Sequence, residues 1–139
     1  MGQQQLLLLV LGMVIVGIAV VAGIQAFSEG KEKADRDAAI SDAMRVISDI
    51  QAWELKPVAF GGGGGDDDFS GVTFQALGID PTDDEGDDDA LYETINGCYT
   101  LTAGANATLL VQDASCTNTI ATVTISTTEV SGIAWSYAT

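Results

Sequence analysis

The sequence predicts an α+β protein: a long N-terminal α-helix, apolar in its first half and amphipathic in its second, packed on a small C-terminal antiparallel β-sheet head. Three observations carry this expectation. Leu6 to Ile24 contains no charged or strongly polar side chain. Between Ser28 and Pro57 apolar residues recur every three or four positions with charges in the gaps, the period of one helix face. From Gly97 onward, short stretches alternate apolar and polar residues and are separated by Gly, Asn, Asp and Ser, as strands and turns are. At 139 residues the chain has room for one small domain and an appendage. The expected divisions are 1–56 for the helix (1–27 apolar, 28–56 amphipathic), 57–96 for a Gly/Asp-rich connecting region and 97–139 for the β head.

The apolar run covers 19 residues, and at about 1.5 Å per residue it measures roughly 28 Å, close to the hydrocarbon thickness of a bilayer. A secretory signal peptide has a basic start and an apolar centre of about 7 to 15 residues. This run is longer and is led by Gln3, Gln4 and Gln5, although Ala26 has the small side chain of a cleavage residue. Small residues recur through it, with Ala19 and Gly23 four apart and Ala22 and Ala26 four apart. In lipid, where apolar surface gains nothing by leaving its solvent, such spacing lets helix backbones approach and associate by van der Waals contact. Gly12, Gly17, Ala19, Gly23 and Ala26 are the candidate packing positions, and copies of the same helix are the expected partners.

Past Phe27, the residues Ile40, Ala43, Met44, Ile47, Ile50 and Trp53 form the apolar stripe of the second half. Gly30 interrupts the join, but one glycine costs a helix only about 1 kcal/mol. A single helix of roughly 50 residues, about 75 Å long, is expected. Pro57 stops it, since a proline disfavours helix at the residue before it and has no N–H to continue the ladder. The five glycines from Gly61 to Gly65, each with the largest ordering entropy of any residue, read as a flexible connector. Phe69 to Ile95 reads as mostly loop, with a short strand or helical turn near Val72 to Leu77. In the head, Tyr99 and Leu101 share one face, as do Ala121, Val123 and Ile125, and Ile133, Trp135 and Tyr137. Four such strands make an antiparallel sheet with one apolar face, which the helix stripe is expected to cover.

The formal charge is −15, from 20 acidic and 5 basic residues, and all the basic ones (Lys31, Lys33, Arg36, Arg45 and Lys56) precede Pro57. An acidic surface of this kind repels nucleic acid and anionic headgroups, attracts cations or basic partners, and suits a high-salt habitat. Cys98 and Cys116 are the only cysteines; a bridge between them closes a loop of about 17 residues, stabilises the head by ~3 kcal/mol and places it outside the cytoplasm. Two thiols without a histidine do not complete a tetrahedral zinc site. The loop "DPTDDEGDDDALYE" fails the EF-hand spacing, because counting back from Gly86 puts Pro81 at the first ligand position. Asp83, Asp84, Asp87, Asp88 and Asp89 are the candidates for looser Ca²⁺ coordination, the one cofactor weighed, against a merely solvated acidic loop. Gly62 to Ser70 matches one calcium-binding nonapeptide, but a single copy cannot build the stacked roll that holds the ion. Asn106-Ala107-Thr108 is a glycosylation acceptor triplet. With no histidine, no phosphate-binding P-loop and no basic residue in the head, few parts are left for catalysis, and no enzymatic activity is expected.

A long N-terminal helix, greasy then amphipathic, followed by a loop and a small disulfide-tied antiparallel sheet, resembles the type IV pilin family and its relatives in secretion machines and archaeal filaments. The resemblance implies a structural subunit of an extracellular pilus-like filament on the cell surface. Its apolar helix would lie in the inner or cytoplasmic membrane before assembly by dedicated machinery, and in the core of a homopolymer afterward. The same pattern suits a pseudopilin of a secretion system or a monomeric membrane-anchored surface protein. Family members carry a basic leader ending in glycine and a glutamate at the fifth mature position that pairs with a neighbour's amino terminus. A cut after Gly2 would put Leu7 at that position; counted from Met1 it is Gln5, whose carbonyl can accept a hydrogen bond from an amino terminus, which makes Gln5 the pairing candidate. The basic residues on the C-terminal flank of the run oppose the orientation a pilin needs, since positive charge usually stays inside.

Overall fold

The computed structural model describes residues 2–82 and 91–135, with side chains as far as 131. The chain divides into two compact units, Met1–Ala34 and Asp35–Thr139. Helix α1 runs over Gly2–Leu55 without a break at Gly30. Its first part is the whole of the first unit. Its remainder belongs with the sheet in the second unit, as the amphipathic pattern requires.

Among the described residues the sheet has five strands in sequential order, all antiparallel: β1 (Leu91–Glu93), β2 (Gly97–Thr102), β3 (Ala107–Asp113), β4 (Thr119–Ile125) and β5 (Val130–Trp135). Alternation on β2 to β4 sends Tyr99, Leu101, Ala107, Leu109, Val111, Ala121, Val123 and Ile125 to one buried face. The helix covers that face with Ala39, Ala43, Val46, Ile47, Ile50 and Trp53. Met44, expected in this stripe, is 60% exposed, because at 100° per residue it falls roughly 120° around the helix from Ile50. Close approach of helix and sheet depends on small residues. A Cβ at Gly97 would stand 2.5 Å from the Gln112 carbonyl oxygen and 3.3 Å from Ala39 Cβ. Beside this contact the buried Tyr99 hydroxyl donates to the Ala39 carbonyl at 3.1 Å. Burial pushes that phenol up to about 12, with the Asp42 carboxylate adding to the shift and a hydrogen bond with Thr94 opposing it.

The region expected to be connecting loop contributes to this core. Phe69, Val72 and Phe74 are buried in it, and Leu77 and Ile79 pack against it. The segment near Val72 to Leu77 is turn, closed by Ile79 N–H donating to the Phe74 carbonyl at 2.9 Å over a left-handed Gly78. Strand β1 lies just ahead of the expected start of the sheet, and its pairing of Tyr92 with Tyr99 puts two tilted rings 5.8 Å apart.

The glycine run is not a slack connector. After a 3-10 turn at Val58–Phe60 it folds back on the end of α1, where four carbonyls lack intrahelical partners. Gly63 N–H donates to the Trp53 carbonyl at 3.0 Å, Gly64 to Lys56 at 3.0 Å and Gly65 to Glu54 at 2.9 Å. A Cβ at Gly62 would run into the Lys56 carbonyl, and one at Gly63 would stand 2.9 Å from the Trp53 ring. Glycine is needed here for close approach rather than for freedom. Next to the cap, the buried Glu54 accepts the Asp67 N–H at 2.8 Å through Oε1, and Asp67 Oδ1 accepts from both the backbone N–H and the hydroxyl of Thr127. The helix end, the Gly/Asp loop and the β4–β5 turn are thereby tied together. Glu54 Oε2 and Trp53 Nε1 are buried without a hydrogen-bond partner among the described residues.

Candidate functional site

The first unit is dominated by uncovered apolar surface. Large apolar side chains from Leu6 to Ile24 are exposed, from 50% at Val10 and Leu11 to 75% at Met13. This part of α1 is long and apolar enough to cross a membrane, and none of its apolar window is buried among the described residues. At 100° per residue, Gly12, Ala19, Gly23 and Ala26 stack on one face, whereas Gly17 lies on a different one. Two shallow grooves line up on the side away from that small-residue face, one between Gln3, Leu6, Leu7, Val10, Leu11 and Val14, the next between Gly17, Ile18, Val21, Ala22 and Gln25. Nothing lies within 4 Å of a Cβ built at Gly12, Gly17 or Gly23. Among the described residues no neighbour requires glycine there, although each glycine weakens a helix by about 1 kcal/mol relative to alanine. Gln5 sits exposed near the start of the helix.

In the second unit the disulfide joins Cys98 on β2 to Cys116 in the β3–β4 turn, with Cα atoms 5.4 Å apart. The turn is built by Asp113. Its Oδ1 accepts from the Ser115 hydroxyl at 2.8 Å and from the Thr117 and Asn118 backbone N–H groups, and its Oδ2 from the Asn118 amide at 2.7 Å. Slight burial works to raise the pKa of this carboxyl, but the four hydrogen bonds outweigh it and hold the group down at about 2. The Asp113 carbonyl also takes the Cys116 N–H at 2.9 Å, which presents Cys116 in a left-handed conformation toward Cys98. Glu93, on β1, completes a cluster with the two cysteines. Sequence reasoning missed it: Glu93 is an ordinary acidic residue until strand pairing sets it opposite Cys98.

The other candidates fall elsewhere. Asn106 is exposed at the bend between β2 and β3, where a glycan has room. Asp83, Asp84, Asp87, Asp88 and Asp89 lie outside the described residues. Within the nonapeptide match, Phe69 is fully buried and Asp67 is engaged with Thr127, so both have structural work. Comparison with protein-family models, with characterised proteins and with solved structures gives no match for this chain.

Proposed function

We propose that the chain is the repeating structural subunit of an extracellular type IV pilus-like filament, held in a membrane by its apolar helix before assembly and polymerising through that helix afterward. The observation that carries this reading is exposed apolar surface from Leu6 to Ile24, interrupted by glycines where an added Cβ would meet nothing within 4 Å among the described residues. Removing some fifteen such side chains from water is worth tens of kcal/mol at about 25 cal/mol per Å², so the helix resides in lipid or against protein. Lipid and filament core are nearly equal in this respect, so packing between helices discriminates between them, and glycines allow the closest packing. Extraction from the membrane then falls to an energy-driven assembly machine. The amphipathic half of α1 and the acidic head form the outer coat, a surface suited to solubility and cation attraction rather than to nucleic acid.

Electron microscopy of sheared surface material, with N-terminal sequencing of the fibres, tests the reading directly. Gly17→Leu and Gly23→Leu are expected to abolish fibres while leaving the head folded, because both positions belong to the first unit and the core of the head is built from residues of the second. Normal fibres from both variants would refute assembly by close helix packing, and a chain found only as isolated molecules in detergent would refute the filament itself.

A further inference from the structure

Antiparallel pairing places Glu93 directly opposite Cys98, so their side chains leave the same face of the sheet. That face is the outer one, since the adjacent Tyr99 points to the helix. Cys116 reaches over it from the β3–β4 turn, and Glu93 Oε1 stands 3.5 Å from Cys116 Sγ. The carboxylate oxygen and the two sulfurs all lie within 4.8 Å of one another. Zinc holds thiolate sulfur at about 2.3 Å and carboxylate oxygen at about 2.0 Å, so tetrahedral angles put two such ligands about 3.5 Å apart, the separation found here. Cys98 is buried, Cys116 half-buried and Glu93 exposed, which leaves an outward side where water can supply a fourth ligand.

We propose that reduction of the Cys98–Cys116 bridge turns Glu93, Cys98 and Cys116 into a binding site for a zinc-like divalent cation, so that disulfide and metal are alternative staples of the same loop. A dithiol reductant passes two electrons and two protons to the bridge, becomes a cyclic disulfide, and leaves Cys98 and Cys116 as thiols. The cation then displaces both thiol protons to solvent and takes Glu93 as the carboxylate. Two thiols alone make too few ligands; β1 supplies the third. The site does not depend on how the apolar helix is used.

The test uses the full chain in detergent, reduced with a dithiol, freed of it without air, and titrated with Co²⁺ and then Zn²⁺. The reduced protein is expected to bind one Co²⁺ with thiolate charge-transfer absorption and the intense visible bands of tetrahedral cobalt, bleached by Zn²⁺. The oxidised protein and Cys116→Ser are expected to give neither signal. Glu93→Gln, checked for an unchanged melting temperature in its oxidised form, is expected to bind at least about tenfold more weakly. Absence of a tetrahedral thiolate spectrum in the reduced wild type, or equal affinity in Glu93→Gln, would overturn the proposal. If reduction alone unfolds the head, Zn²⁺ is expected to restore its near-ultraviolet circular dichroism, and failure to do so is equally fatal.

Discussion

Replacing Gly62 with alanine distinguishes a packed glycine cap from a slack glycine linker by the sign of its effect. In a linker, the added methyl removes conformational freedom from the unfolded chain and stabilises the protein by about 0.4 to 1 kcal/mol. In the structure the new Cβ would overlap the Lys56 carbonyl, with Lys56 Cβ and carbonyl carbon 2.5 and 2.7 Å away, all of them atoms of or next to the backbone rather than the yielding tip of a side chain. Overpacking of this kind costs about 1 to 3 kcal/mol, and relieving it by moving the loop endangers the Gly63 and Gly64 bonds to the Trp53 and Lys56 carbonyls. Gly62 does not need a left-handed backbone, so the effect is steric and not a φ penalty. For a head of this size each kcal/mol moves the melting temperature by roughly 4–8 °C. The measurement is thermal unfolding of the full chain in detergent followed by circular dichroism, with urea titration to confirm an unchanged slope. A midpoint equal to or above that of the wild type would refute the cap.

Further outcomes are expected in the head. Asp113 has its carboxyl held at about 2 against an ordinary 3.8, so the unfolded chain takes up this proton first. Its contribution is complete above about pH 4 and disappears as the pH falls toward 2, and the melting-temperature difference between wild type and Asp113→Asn should shrink across that window. Parallel curves for the two proteins would contradict the hydrogen-bond account of the turn. Ile50→Ala removes a side chain with no exposed surface at the centre of the helix–sheet contact and should cost about 2 to 5 kcal/mol by equilibrium urea unfolding; under 1 kcal/mol would mean the helix is not the lid of this core.

Much of the fold was legible in the chain because its signals are local. The uncharged run, the 3.6-residue period through Ile47, Ile50 and Trp53, and the alternation through Leu109 to Val111 and Ala121 to Ile125 are each properties of a few neighbouring residues. The two cysteines could be paired because there were no others. The illegible parts were those whose meaning lies in a distant partner. Strand β1 is three residues long, too short to show alternation, and exists through its ladder with β2. The glycine run looks the same in sequence whether it is slack or laid against a helix end; its hydrogen bonds to the Trp53, Glu54 and Lys56 carbonyls decide for the cap. Met44 fits the spacing of the stripe but not the width of the face that the sheet covers.

By itself, then, the sequence determined that one helix would be apolar over a bilayer's length, that its continuation would offer one face to a sheet, and that the head would be acidic and bridged. Tertiary structure alone decided that the Gly/Asp segment closes the helix end, and that Glu93 meets Cys98 and Cys116. The difference is one of range. Periodicity and charge are written along the chain, whereas a carbonyl finding its donor, or a carboxylate finding its sulfur, depends on strand register and on where the backbone turns back.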